Sequence, residues 1–96
     1  MRVFNLATVR DYAGRHPDAA TGLMAWYRIA CAARWHRFQD ARASDPAVSA
    51  VGDRLVFNVN GNRHRVVVRV DWACGFLFIR FIGTHAEYDR INVLEV

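Results

Sequence analysis

The sequence predicts an α+β domain, with helices in the first half, a mainly antiparallel sheet after them and a short closing helix. Three observations predict it. Helical start signals and helix-period apolar stripes fill the first half. Asn60-Gly61 separates two β-patterned runs, the strongest short hairpin signal, because both turn positions require positive φ. Thr84 is followed three residues later by Glu87, which is the spacing of a capping box.

Each element follows in order. Residues 2–6 form a short first strand. Thr8 caps a helix that carries Asp11 in its first turn and runs to about Arg15. Pro17 and Asp18 open a second helix, where a missing N–H removes no intrahelical bond. It runs to about Arg34, and its stripes (Leu23, Tyr27, Ala30, Arg34 and the overlapping Ala19, Trp26, Ala33) mark a packing face. Residues 38–43 add a helical turn, stopped by Asp45-Pro46. Residues 55–59, 62–70 and 76–82 read as strands, and Gly83 ends the last of them. Such an order places the helices on one face of the sheet.

The chain has 96 residues, enough for one domain spanning 1–96, and it is 53% hydrophobic, enough for a core without disulfides or metal. All 13 cationic residues are arginines and the net charge is +4. A GC-rich genome accounts for part of that bias; the guanidinium fork also suits phosphate. Cys31 and Cys74 belong to no CxxC or Cys/His cluster, so no metal site is expected, and two unpaired thiols suit a reducing cytoplasm. Met1 to Leu6 is too short and polar for a signal peptide, and no stretch reaches the roughly 18 apolar residues of a membrane span.

Alternation along the strands sorts the side chains. A two-residue turn at Asn60-Gly61 pairs Val59 with Asn62, Asn58 with Arg63, Phe57 with His64 and Val56 with Arg65. One face then holds Leu55, Phe57, Val59, His64, Val66, Val68 and Val70, and meets the helices. The other holds Val56, Asn58, Arg63, Arg65, Val67 and Arg69. A loop over residues 72–75 pairs Asp71 with Phe76, sets Phe78 opposite Arg69, Arg80 opposite Val67 and Ile82 opposite Arg65, and leaves Leu77, Ile79 and Phe81 to the core. Arginines beside an aromatic suit single-stranded nucleic acid, phosphates on cations and bases on rings, although a solvated row of charges has the same parity.

The last helix adds acid/base chemistry. His85 is its first residue, and Tyr88, three further on, shares its face. Nearby arginines and the helix N-terminus are expected to keep the imidazole neutral and able to accept a proton. Arg65 and Arg80 could then stabilise a pentacoordinate phosphate.

Four segments carry a family resemblance: "RHPDA" from Arg15, "AWYR" from Ala25, "VFNVNGNRHRVVV" from Val56 and "FIRFIGTHAEYDRI" from Phe78. Together they resemble the HigB toxins of type II toxin–antitoxin systems, a branch of the RelE-like superfamily. The resemblance covers nearly the whole chain. It implies a RelE-like fold, cleavage of translated mRNA at the ribosome, and neutralisation by a HigA-type antitoxin with a helix-turn-helix domain. It implies that Arg80 is the strand arginine at the scissile phosphate and that His85 and Tyr88 are the acid/base groups of the helix, and it puts Arg63 and Arg65 in the basic strand after the turn; with the face assignment, Arg65, Arg80, His85 and Tyr88 are the expected catalytic residues. With the face assignment, Asn58, Arg63, Arg69 and Phe78 are the expected RNA-binding residues. The chain departs from the family at His64, commonly tyrosine, and in lacking lysine, so arginine must supply the charge. The expected reaction is attack of the ribose 2′-hydroxyl on the adjacent phosphate, without metal or cofactor, with either His85 or Tyr88 as base. A ParE-like gyrase inhibitor of the same fold and a non-catalytic RNA- or ribosome-binding module are the competing readings.

Overall fold

Asn5 turns the chain out of its first strand, β1 (Arg2–Phe4), and into its first helix, α1 (Leu6–Arg15). It does so in the left-handed region, at φ 77°, which asparagine tolerates better than most residues. Its carboxamide donates to the Ile79 carbonyl. That tie fixes where the chain leaves the sheet, so β1 stops short of residue 6 and α1 starts before Thr8, the expected cap.

The computed structural model describes residues 1–96. After α1 come α2 (Pro17–Ala32), α3 (Phe38–Ser44), β2 (Ser49–Val51), β3 (Arg54–Val59), β4 (His64–Asp71), β5 (Phe76–Thr84), α4 (His85–Tyr88) and a 3-10 turn at Val93–Glu95. The fold is α+β, as expected, around a five-stranded sheet of order β1-β5-β4-β3-β2. β1 runs parallel to β5 and the other pairs are antiparallel. The helix α2 ends before Arg34, and the Met1 ammonium donates to the carbonyls of Ala30 and Ala33 at its end. The strand β2 was not anticipated; three residues are too few to show a period of two.

The helices pack on one face of the sheet. Val9 and Tyr12 of α1 and Leu23, Trp26 and Ala30 of α2 meet Leu55, Phe57, Val59, Val66, Val68 and Val70 in one apolar cluster. This is the face that alternation assigned to the core, and its large, buried, β-branched and aromatic side chains supply the main driving force for folding.

Two registers differ from expectation. Val59 pairs with His64 and Asn58 with Arg65, so the hairpin loop spans residues 60–63. Asn60 and Gly61 do adopt positive φ. The loop is longer because its neighbours are anchored elsewhere: the Asn60 carboxamide donates to the Asp18 carbonyl, and His64 is buried against Tyr12 and Asp18. A shift of two residues leaves every strand residue on its expected face, but it takes Arg63 out of the strand.

In β5 the ladder is irregular: Val68 pairs with Ile79, yet Val67 pairs with Phe81. Arg80 is thus the extra residue of a β-bulge. Beyond it the parity reverses. Phe81 shares a face with Val67 instead of entering the core, Ile82 packs against the core instead of opposing Arg65, and Gly83 takes that place.

The second face is also not open throughout. Val56, Val67, Arg54 and Arg65 all lie on it, and all are buried. The C-terminal residues account for part of the cover, since Arg54 donates to the Val96 and Leu94 carbonyls, and a Cβ on Gly52 would meet the Leu94 side chain.

Candidate active site

Four of the expected site residues issue from the corner where β4, β5 and α4 meet. Arg65 stands opposite Asn58 on one side and Gly83 on the other. Its guanidinium donates to the Asn62 carbonyl at 2.9 Å and to the Asn62 side-chain oxygen at 2.6 Å. It lies over the Tyr88 ring, 5.7 Å from the centroid. Only 8% of Arg65 is exposed, and no carboxylate pairs with it. Neutral oxygens and a ring therefore hold a charge that nothing in the chain neutralises, which favours an anionic ligand beside it.

Gly83 makes room for this arrangement. A Cβ there would run into the Phe81 ring and crowd Glu87. Contrary to expectation, Gly83 does not end the strand, which continues through it to Thr84.

Thr84 then starts α4 with the expected capping box. Its hydroxyl accepts from the Glu87 N–H, and the Glu87 carboxylate accepts from the Thr84 N–H. Those bonds hold the Glu87 carboxyl below its ordinary range. His85 follows at the first helical position, and its N–H donates to the Arg63 carbonyl at 2.8 Å. The hairpin loop is thus tied to α4 through the backbone of Arg63, whose side chain is exposed in that loop.

The His85 ring has a neighbour beyond the expected arginines and helix end. Nδ1 lies 3.0 Å from the Asp89 carboxylate. The i,i+4 spacing was the available signal. The ring's electrostatic surroundings thus include a carboxylate as well as the arginines and the helix end. Beside Nδ1, it favours the proton on that nitrogen and leaves Nε2 as the acceptor. Tyr88 is half-buried and His85 is exposed.

Arg80 is exposed at the bulge and makes no ion pair. Bulges of this kind re-aim side chains beside active sites. Arg69 and Phe78 pair across β4 and β5 with the guanidinium 4.6 Å from the ring centroid, farther along the same face. The structure thus brings Arg65, Asn58 and Tyr88 together, sets His85 on the same short helix as Tyr88, places Arg80 on the strand leading into it, and puts Arg69 and Phe78 at a distance. No cluster of three or more His, Cys, Asp or Glu side chains is suited to hold a metal ion. No helix is long and apolar enough to cross a membrane.

A sequence profile of the HigB toxins, described as the RelE-like toxic component of a toxin–antitoxin system, matches residues 19–91. The chain belongs to the HigB toxin family. It is 26% identical over 95 residues to the mRNA interferase HigB of Escherichia coli O6:H1, covering 96% of this chain and 92% of that protein. It is also 26% identical over 98 residues to the mRNA interferase toxin HigB of Escherichia coli K12 and to the mRNA interferase HigB of Shigella flexneri, covering 99% of this chain and 94% of each. As a HigB-family chain it is the toxic component of a toxin–antitoxin pair, with an antitoxin as its partner. The matched span contains every candidate residue from Asn58 to Tyr88.

Proposed function

We propose that this HigB-family toxin is an mRNA endoribonuclease that works in the cytoplasm on ribosome-bound message, as one domain over residues 1–96, and is restrained by a HigA-type helix-turn-helix antitoxin. The observation that carries the reading is the buried, carboxylate-free Arg65 guanidinium over the Tyr88 ring, on the helix that opens with His85. The relatives' names, mRNA interferase, support the same chemistry.

The reaction needs no external nucleophile. The ribose 2′-oxygen attacks the adjacent phosphorus as its proton leaves, the bond from phosphorus to the 5′-oxygen breaks, and that oxygen takes up a proton. The products are a 2′,3′-cyclic phosphate and a 5′-hydroxyl. Nε2 of His85 accepts the 2′ proton, with Asp89 beside Nδ1 selecting the tautomer. Tyr88 donates to the leaving oxygen. Arg65 and Arg80 stabilise the charge that develops on the phosphorane. Asn58 and Arg63 contact the message near the scissile bond, and Arg69 and Phe78 contact it farther along the same face. As proposed, the reaction proceeds through these side chains and is metal-independent.

The test is incubation with mRNA, with and without ribosomes, followed by mapping and end-group analysis of the fragments. Cyclic phosphate and 5′-hydroxyl ends are expected, and on ribosome-free RNA any cleavage should survive a chelator. Intact mRNA in both arms, or 5′-phosphate ends, would overturn the reading.

A further inference from the structure

We propose that Arg2, Phe4, Phe78 and Arg69 form a second RNA subsite that holds a nucleotide of the single-stranded message away from the scissile phosphate. The inference rests on the endoribonuclease reading and extends it to β1, at the far end of the sequence from the site.

Parallel pairing of β1 with β5 sets Phe4 opposite Phe78, and antiparallel pairing of β5 with β4 sets Phe78 opposite Arg69. The two phenyl rings stack at 4.9 Å with 12° between their planes. Arg2 closes one end, 5.1 Å from the Phe4 centroid, and Arg69 closes the other, 4.6 Å from that of Phe78. Phe76 meets both rings edge-on and buttresses them. The result is a four-member stack across three neighbouring strands, with a guanidinium at each end. Neither arginine pairs with a carboxylate.

The stack lies on the face that carries Arg65. Arg69 is four residues along β4 from Arg65, hence on the same side and roughly 13 Å away. A strand bound at the catalytic corner can therefore continue across the sheet to it. The phenyl faces are already engaged, so the ligand meets the guanidinium groups that the rings hold in place. A guanidinium can take a base against its plane and a phosphate oxygen at its N–H edge. An acidic peptide would satisfy the charge but not the planar surface, so single-stranded RNA is the better match.

The experiment compares wild-type protein with Arg2→Ala, Arg2→Lys and Phe4→Leu in steady-state cleavage of mRNA, presented on ribosomes if cleavage requires them, over a range of salt concentrations. Arg2 is exposed, so its variants leave the core untouched. For Arg2→Ala, which removes the stacking plane, and Phe4→Leu, which removes the ring that holds it in place, KM should rise about five- to tenfold with kcat unchanged, the lower part of the range for loss of one stacking contact. In Arg2→Ala the salt slope of log KM should also fall by about 0.7, one phosphate contact on a single strand. Arg2→Lys should recover the slope but not the KM, because it keeps the charge and loses the plane. Wild-type KM in both Arg2→Ala and Phe4→Leu, alongside active wild-type protein, would overturn the subsite alone. So would variants that cleave normally but escape neutralisation by the antitoxin, which would assign the surface to the protein partner. Full recovery of KM by Arg2→Lys would overturn the stacking role. Absence of cleavage by the wild type would overturn the parent reading, and this one with it.

Discussion

The Tyr12 hydroxyl lies 2.7 Å from Nδ1 of His64 in the interior of the molecule. The other ring nitrogen, Nε2, donates to the Asp18 carboxylate at 2.7 Å, and His16 stacks on Tyr12 at 4.2 Å. These contacts pin the first residue of β4 to the junction of α1 and α2. The ladder partner of His64 is Thr84, the cap of α4, so the same contacts support the corner where β4, β5 and α4 meet. A histidine facing coreward is thus accounted for by its hydrogen bonds.

Removing the imidazole should expose that dependence. His64→Leu leaves the buried Tyr12 hydroxyl without its partner, which costs about 1–3 kcal/mol. Urea unfolding should show a lower midpoint. Adding Tyr12→Phe should then cost much less than it does in the wild-type background, because the two residues share one interaction. Strict additivity of the two losses would refute the coupling.

Alkaline pH should weaken the fold through the same tyrosine. Burial first, then the negative charges of Glu87 and Asp18, push the Tyr12 hydroxyl from 10.0 up to about 12. A folded-state value above the unfolded one gives stability that is fully present below pH 10 and is lost as the pH rises toward 12. Two units correspond to roughly 2–3 kcal/mol. The chain has no lysine, so no side-chain amine titrates in that window. Tyr27 is also raised, chiefly by the neighbouring Cys31 thiol, and adds the same sign. Stability measured by denaturant at pH 9 and pH 11.5 should therefore fall in the wild type and fall less in Tyr12→Phe.

The two arginines proposed to stabilise the phosphorane should respond differently to truncation. Arg80 is exposed at the bulge, so Arg80→Ala should keep wild-type stability while losing cleavage by about a hundred- to a thousandfold. Arg65→Ala should lose cleavage and stability together, since its guanidinium also holds Asn62 in the hairpin loop. Thermal unfolding and single-turnover cleavage, measured on the same preparations, separate the two effects. An Arg80→Ala variant with wild-type turnover would remove Arg80 from the mechanism.

A pH profile should divide the work of α4. With His85 as base, single-turnover cleavage should rise with pH along one limb that disappears in His85→Gln and persists in Tyr88→Phe. Each substitution should slow the reaction by about a hundred- to ten-thousandfold while leaving RNA or ribosome association in place. If the limb instead survives in His85→Gln and vanishes in Tyr88→Phe, the tyrosine is the base. Wild-type rates in both variants would leave α4 as a structural cap and return the chemistry to the arginines.

What the sequence by itself determined is what depends on near neighbours along the chain. The capping box at Thr84 and Glu87 and the proline-led start of α2 are local hydrogen-bond and backbone preferences, and both stand in the structure. The core face from Leu55 to Val70 also stands, because its period of two survives a hairpin register that is off by two residues. The tertiary structure decided what depends on distant contacts or on a single extra residue. Bonds to Asp18 lengthen the hairpin loop and take Arg63 out of the strand. One bulged residue at Arg80 exchanges the places of Phe81 and Ile82. Asp89 reaches His85, the C-terminal residues reach Arg54, and β1 crosses from the start of the chain to put Arg2 and Phe4 beside Phe78 and Arg69. Alternation cannot show which edge a strand joins; the hydrogen-bond ladder that joins β1 to β5 forms between segments more than 70 residues apart, and only the folded chain brings them together.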